Sequence, residues 1–172
     1  MKKIAIAAAF LAATAFTVQA QQAKVEDQIK YRRAAYTLMG LNFGSLGAMA
    51  QDKKPFNKEE AIKNADFVAM LCTVPKGYFG EGTDKDTKAK PEIWTHRADF
   101  DAKMDKMVSE AQKLPAVVRA GDMAAFKKQV GDVGAACKAC HDDFRDRRRG
   151  RFLPAIAAHC KQRRQQSSRG RR

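Results

Sequence analysis

Between residues 24 and 49, Ile29, Arg32, Tyr36, Met39 and Phe43 recur at spacings of three and four. That period brings side chains back to one helical face, so the segment reads as a helix. Ala34, Leu38 and Leu41 form a second apolar face, which predicts a helix buried on two sides. The polar stretch QDKKPF interrupts the pattern. Asn57 followed by Glu60 is a helix-start signature in which the side chain of one caps the backbone of the other. Ala61, Ala65, Val68 and Cys72 then make the stripe of a second helix. A third opens near Ile93 and runs through Phe100, Met104, Met107, Ala111, Leu114 and Val118, with Pro115 expected to kink it or end it early. Asp122 is the expected N-cap of the fourth, whose stripe is Phe126, Val130, Val133, Cys137, Cys140 and Phe144. No stretch shows sustained two-residue alternation. Four amphipathic helices without strands predict an all-α four-helix bundle.

Two segments fall outside this pattern. Residues 73–92, TVPKGYFGEGTDKDTKAKPE, are a connection of about 20 residues with two prolines and three glycines. A loop of that length in a compact domain usually has a function. At the N-terminus, Lys2 and Lys3 precede an apolar run from Ile4 to Phe16, and Val18-Gln19-Ala20 ends it with small residues. This is the pattern of a secretory signal peptide over 1–20, too short to span a bilayer. The expected mature chain is a four-helix-bundle domain over 21–148, followed by a basic, disordered extension over 149–172. An exported chain meets a compartment in which thiols tend to oxidise.

The formal net charge of +14 is unevenly spread. Residues 21–144 hold 20 Lys and Arg against 18 Asp and Glu, whereas residues 145–172 hold 11 against one. An arginine-rich tail has the charge to meet nucleic acid or an acidic membrane surface. Without interleaved aromatics, and in an exported protein, it is expected to be a solvated arm that binds no nucleic acid and inserts in no membrane.

The candidate chemistry sits in the fourth helix, in GAACKACHDDFR, residues 134–145. Cys137, Cys140 and His141 stand at i, i+3 and i+4 and project from one side of the helix. Cys-x-x-Cys-His is the attachment signature of c-type haem. Two thiols one turn apart can add to the two vinyl groups of a porphyrin, and the next residue can offer its imidazole to the iron. A redox dithiol normally opens a helix in an α/β setting. A zinc site lacks a paired fourth ligand among Cys72, His96, His159 and Cys160. A disulfide between residues one turn apart on one helix has poor geometry. Gly131 and Gly134 weaken the helix by about 1 kcal/mol each, a cost that makes sense if a flat ring or another helix approaches there.

With these residues in place, the chain resembles the cytochrome c′ family. IKYRRAAYTLMGLNFGSLGAM, PEIW and AGDMAAFKKQVGDVGAACKACHDDFR carry the resemblance, which covers about residues 22–145. It implies an antiparallel four-helix bundle that forms a homodimer in the bacterial periplasm, with one covalent haem c per chain. It implies His141 as the proximal ligand of a high-spin, five-coordinate iron, Arg145 on the proximal face and Tyr36 over the distal face. Arg32 falls where the family meets the haem propionates, and Arg33 and Glu92 where further haem contacts occur. The implied activity is binding of nitric oxide, in some members carbon monoxide, or electron transfer with an unidentified redox partner.

The alternative is a low-spin, six-coordinate electron carrier with Met39 as second axial ligand. A third reading is a haem-free binding bundle with a basic arm. No nucleophile–base pair or carboxylate dyad stands out, so no enzyme is expected. The family usually ends a few residues after the position of Arg145, so the tail departs from the pattern. Cys72 is expected to be a small core residue, with a Cys72–Cys160 disulfide left open.

Overall fold

The computed structural model describes residues 2–146, with side chains from residue 24 onwards. The side chains of the expected signal segment, the 149–172 extension and Cys160 therefore lie outside the described residues. Helix α1 spans Lys2–Ala50 and α2 spans Lys58–Leu71. A 3-10 turn, Pro75–Tyr78, leads into the long connection. Then come α3 (Glu92–Thr95), α4 (Arg97–Ala111), α5 (Leu114–Ala120) and α6 (Met123–Phe144). α1 packs mainly on α2, α4 on α6, and α5 on both α2 and α6. The result is an antiparallel four-helix bundle whose third member is the broken α3–α5 rod.

Local chemistry sets the breaks. Asn57 caps α2 by accepting from the Glu60 amide at 2.9 Å. Glu60 does not reciprocate: its carboxylate accepts instead from Ser45 Oγ at 2.8 Å and Lys54 Nζ at 2.5 Å, tying α2 to the end of α1. Asp122 caps α6 through the amides of Ala124 and Ala125 at 2.8 and 3.1 Å. The third helix is not continuous, as the apolar stripe alone suggested. His96 leaves helical geometry at φ −120°, ψ 51°, and Pro115 sits in the first turn of α5. Proline has no amide to offer the Ala111 carbonyl, so the rod restarts where that loss is harmless. Gly121 closes α5 at φ 81°, a conformation that favours glycine.

Phe100, Phe126, Leu46, Met49, Met104, Leu114, Val68 and Val118 are fully buried. Each such side chain contributes roughly 1.5–3 kcal/mol. Phe79 and Phe144 both meet Phe100 edge-on, at 4.8 and 5.4 Å, which joins the connection, α4 and α6. The expected second buried face of α1 is not covered: Leu38 is 50% exposed and Leu41 69%. Gly134 faces α1, where an added Cβ would lie 3.9 Å from Phe43 Cζ. Nothing in the structure explains Gly131, which has open space around it. Among the described residues, no helix is long and apolar enough to cross a membrane.

Candidate functional site

Between α1, α4 and α6 lies a cavity of about 780 Å³. Its size falls within the roughly 300–1,000 Å³ usual for cofactor sites. Helical spacing puts Cys137, Cys140 and His141 of α6 on its wall together. Cys140 is buried, and Cys137 and His141 are half-buried. The thiols are free, and burial raises both, Cys140 to about 11, so they are protonated near neutrality. Phe79, Phe100, Met104, Met107 and Phe144 make the apolar walls.

Helix α1 supplies the facing wall with Arg32, Tyr36, Met39 and Phe43. Tyr36 reaches across to α4, its Oη 3.8 Å from Met104 Sδ. Burial, and then the thiols of Cys140 and Cys137, push the phenol well above its ordinary range. The phenol is therefore neutral at ordinary pH. Met39 is buried on the same wall one turn away.

The edge of the cavity is cationic. Arg33, Lys88 and Arg145 line it from exposed positions, and no carboxylate among the described residues lines it. Arg145 is fixed by pairing between the long connection and the end of α6. The Lys90 amide donates to the Phe144 carbonyl at 3.0 Å, and the Asp146 amide to the Lys88 carbonyl at 2.8 Å. The connection thus holds two of the cations at the edge, which gives this long segment a structural task.

Arg32 behaves differently from the sequence expectation. It is only 3% exposed, and its guanidinium donates to the Tyr78 carbonyl at 2.9 Å, to Thr83 Oγ1 at 2.8 Å and to the Thr83 carbonyl. Its charged carbon lies 4.3 Å from the Phe79 ring centre. Burial lowers its pKa to about 10, still a cation at neutral pH. The side chain borders the cavity, yet its donors hold the connection in place. Arg33 donates to the Asp86 carbonyl at 2.8 Å. Glu92 is exposed at the start of α3 and does not line the cavity.

These features fit one kind of guest: a flat, apolar ring with carboxylates on its edge. The ring would lie between the aromatic walls, with its edge toward Arg33, Lys88 and Arg145. Paired thiols one turn apart suit two attachment points on such a ring, with an imidazole next to them. Residues 27–145 match the family profile described as Cytochrome C′. The chain belongs to the cytochrome c′ family. Cytochrome c′ of Rubrivivax gelatinosus is 44% identical over 126 residues, covering 72% of this chain and 98% of the relative. The crystal structure of that protein superposes with a TM-score of 0.67, covering 70% of this chain and 95% of that one. A nitric oxide complex of a leucine-to-alanine variant of cytochrome c prime from Alcaligenes xylosoxidans is 36% identical with a TM-score of 0.67. It covers 72% of this chain and 97% of its own. Cytochrome c-554 of Cereibacter sphaeroides is 33% identical over 154 residues, covering 86% of this chain and 99% of the relative.

As a cytochrome c′ family member, the chain is a c-type haem protein with covalently bound haem c. The structure gathers Cys137, Cys140, His141, Tyr36, Arg32, Arg33 and Arg145 around one cavity and leaves Glu92 aside. Sequence reasoning missed Lys88, which carries no local motif, and Phe79, which sits in the irregular connection. Cys72, read as a core residue, is fully buried and also borders the cavity. Burial raises its thiol to about 11.

Proposed function

We propose that this cytochrome is a periplasmic haem protein that binds nitric oxide at an open axial position. Cys137 and Cys140 form the thioether links and His141 is the only protein ligand. The carrying observation is that α6 brings this trio to one wall of the cavity, while α1 faces it with the neutral phenol of Tyr36. When bound, the haem supplies an iron that takes up a small diatomic or passes an electron. Tyr36 acts by bulk, limiting the distal space to small ligands. Arg145 and Lys88 hold negative charge at the ring edge, and the apolar walls exclude water. Export to the periplasm rests on the charged, then apolar, then small-residue N-terminus.

The chain is proposed to act as a homodimer through α1 and α2. Leu38 and Leu41 on α1 and Phe67 and Met70 on α2 are exposed apolar side chains, with Phe67 40% and Met70 56% exposed. Large exposed apolar side chains on two helices that pack together support an interface there.

Met39 supports a second reading, an electron carrier with six-coordinate iron, because it lines the same wall as Tyr36. Acid denaturation followed by organic extraction tests the attachment. Colour should remain with the polypeptide, and its loss would exclude thioethers at Cys137 and Cys140. Ligand identity is tested by Met39→Leu. The spin state should not change; a switch from low to high spin would establish the second reading instead.

A further inference from the structure

After Asp146 the chain continues for 26 residues that hold ten Lys and Arg and no Asp or Glu. Charge alone would make this segment a solvated arm. Its order says more. RRRGR (147–151) and KQRR (161–164) flank FLPAIAA (152–158), an apolar run with Phe152, Leu153 and Ile156. Apolar side chains gain nothing from water. Cations with apolar residues between them suit an anionic bilayer, where the cations meet lipid phosphates and the apolar groups enter the layer beneath. Nucleic acid would meet the charge but not the apolar run. An acidic protein would have to supply an apolar patch among its carboxylates.

The structure shows where this segment begins. Arg145 pairs with Ala89, and the Asp146 amide donates to the Lys88 carbonyl at 2.8 Å. The tail therefore starts at the cavity rim, beside exposed Arg33, Lys88 and Arg145. Arg33 and Lys90 donate to backbone carbonyls, those of Asp86 and Asp142, at 2.8 and 3.0 Å, which cancels no charge. The acids at the end of α6 are already paired, Asp142 with Lys138 and Asp143 with Lys103. The two carboxylates of a haem would offset two of the three rim charges, so the loaded rim does not repel an anionic surface. Like charge also keeps the tail from folding over the rim.

We propose that residues 147–164 dock the protein on an anionic phospholipid bilayer, with the cavity rim turned toward the lipid. The tail adsorbs at the headgroups and no part of it crosses. The near-neutral bundle adds little attraction of its own, so the basic end sets the orientation and brings the open edge of the cavity to the membrane surface.

The test mixes the full-length, haem-loaded protein with vesicles of equal parts phosphatidylglycerol and phosphatidylcholine and measures the protein that sediments with them. Each variant is first checked for covalent haem and an unchanged reduced spectrum. Wild type should bind these vesicles and not vesicles of phosphatidylcholine alone. It should be released at about 1 M salt, where charge acts over only about 3 Å. Each Lys or Arg at such a surface contributes about fivefold in affinity. Arg147→Gln/Arg148→Gln/Arg149→Gln/Arg151→Gln should therefore weaken binding by about 100-fold or more. Phe152→Ser/Ile156→Ser leaves the charge unchanged and should weaken it by about tenfold or more. Lys88→Gln, at the rim, should weaken it by about two- to fivefold. Lys58 stands beside Gly121 at the other end of α6, about 33 Å away along its 22 residues. Lys58→Gln should stay within about twofold of wild type, because charge reaches only about 10 Å at 0.1 M salt. No binding to the anionic vesicles, equal binding to phosphatidylcholine alone, undiminished binding in the four-arginine variant, or equal effects of Lys58→Gln and Lys88→Gln would each overturn the proposal. Unchanged affinity in Phe152→Ser/Ile156→Ser would make the tail a general binder of polyanions, nucleic acid or acidic protein, and overturn the lipid assignment.

Discussion

Replacing Arg32 by methionine separates the structural task of this side chain from the family expectation that it serves the haem. The substitution keeps an unbranched stem but removes the guanidinium. Three acceptor contacts go with it: the part-buried Tyr78 carbonyl, and the buried Thr83 Oγ1 and Thr83 carbonyl. Hydrogen bonds to a charged group contribute roughly 1.5–3 kcal/mol, and carbonyls left buried without a donor cost about 1–3 kcal/mol each. Thr83 is fully buried, so water cannot readily replace the lost donors at its carbonyl. Against this, a buried cation is removed, which recovers part of its desolvation cost. The expected net loss is about 2–4 kcal/mol, a large share of the roughly 5–15 kcal/mol typical of a domain. With a urea slope of about 2 kcal/mol/M, the midpoint should fall by roughly 1–2 M. The assay is urea unfolding of the haem-loaded protein followed by far-ultraviolet circular dichroism. Arg32→Lys keeps a charge but not the planar fork, so it should fall between wild type and Arg32→Met. A midpoint shift below about 0.3 M for Arg32→Met, well under the range derived from the slope, would refute the assignment of Arg32 as the clasp of the 78–83 segment.

Asp122→Ala removes both cap bonds at the start of α6 and should cost about 1 kcal/mol, read as a lower Tm in calorimetry. The Glu110 carboxyl is held down to about 2 by hydrogen bonds from Lys106, Lys113 and Gln129, in that order. Since its folded pKa lies below the ordinary 4.5, its contribution is complete above pH 4.5 and fades as the pH falls toward 2. A Tm–pH profile should show that loss in wild type, and Glu110→Gln should flatten it. Tyr36→Ala should speed carbon monoxide association without releasing haem, measured by flash photolysis. Leu38→Glu with Leu41→Glu should shift sedimentation from dimer to monomer.

The parts of the fold written in local chemistry were legible in the sequence. Asn57 and Asp122 cap helices as their spacing indicates, and Pro115 breaks the third rod as a missing amide requires. The Cys137–Cys140–His141 trio was legible because one helix fixes all three by spacing alone. What stayed hidden depends on contacts between distant segments. Glu60 accepts from Ser45 and Lys54 because those residues come within reach at the turn. Gln129 donates to Glu110 from another helix at 3.0 Å, a buried polar bridge with no sequence signature. Arg32 lies on the predicted face, yet its partners are 46 and 51 residues away. The connection reads as a loop, but only its pairing with the end of α6 shows that it carries Lys88 and anchors Arg145 at the cavity edge.

In the proposed site His141 alone ligates the iron, with Tyr36 covering the opposite side. The absorption spectrum of the reduced, ligand-free protein tests it most directly. The expected spectrum is a broad, merged visible band, the mark of high-spin iron with an open axial position. Sharp, resolved α and β bands would mean a second protein ligand, and would contradict the reading of Tyr36 as a cover over an open site.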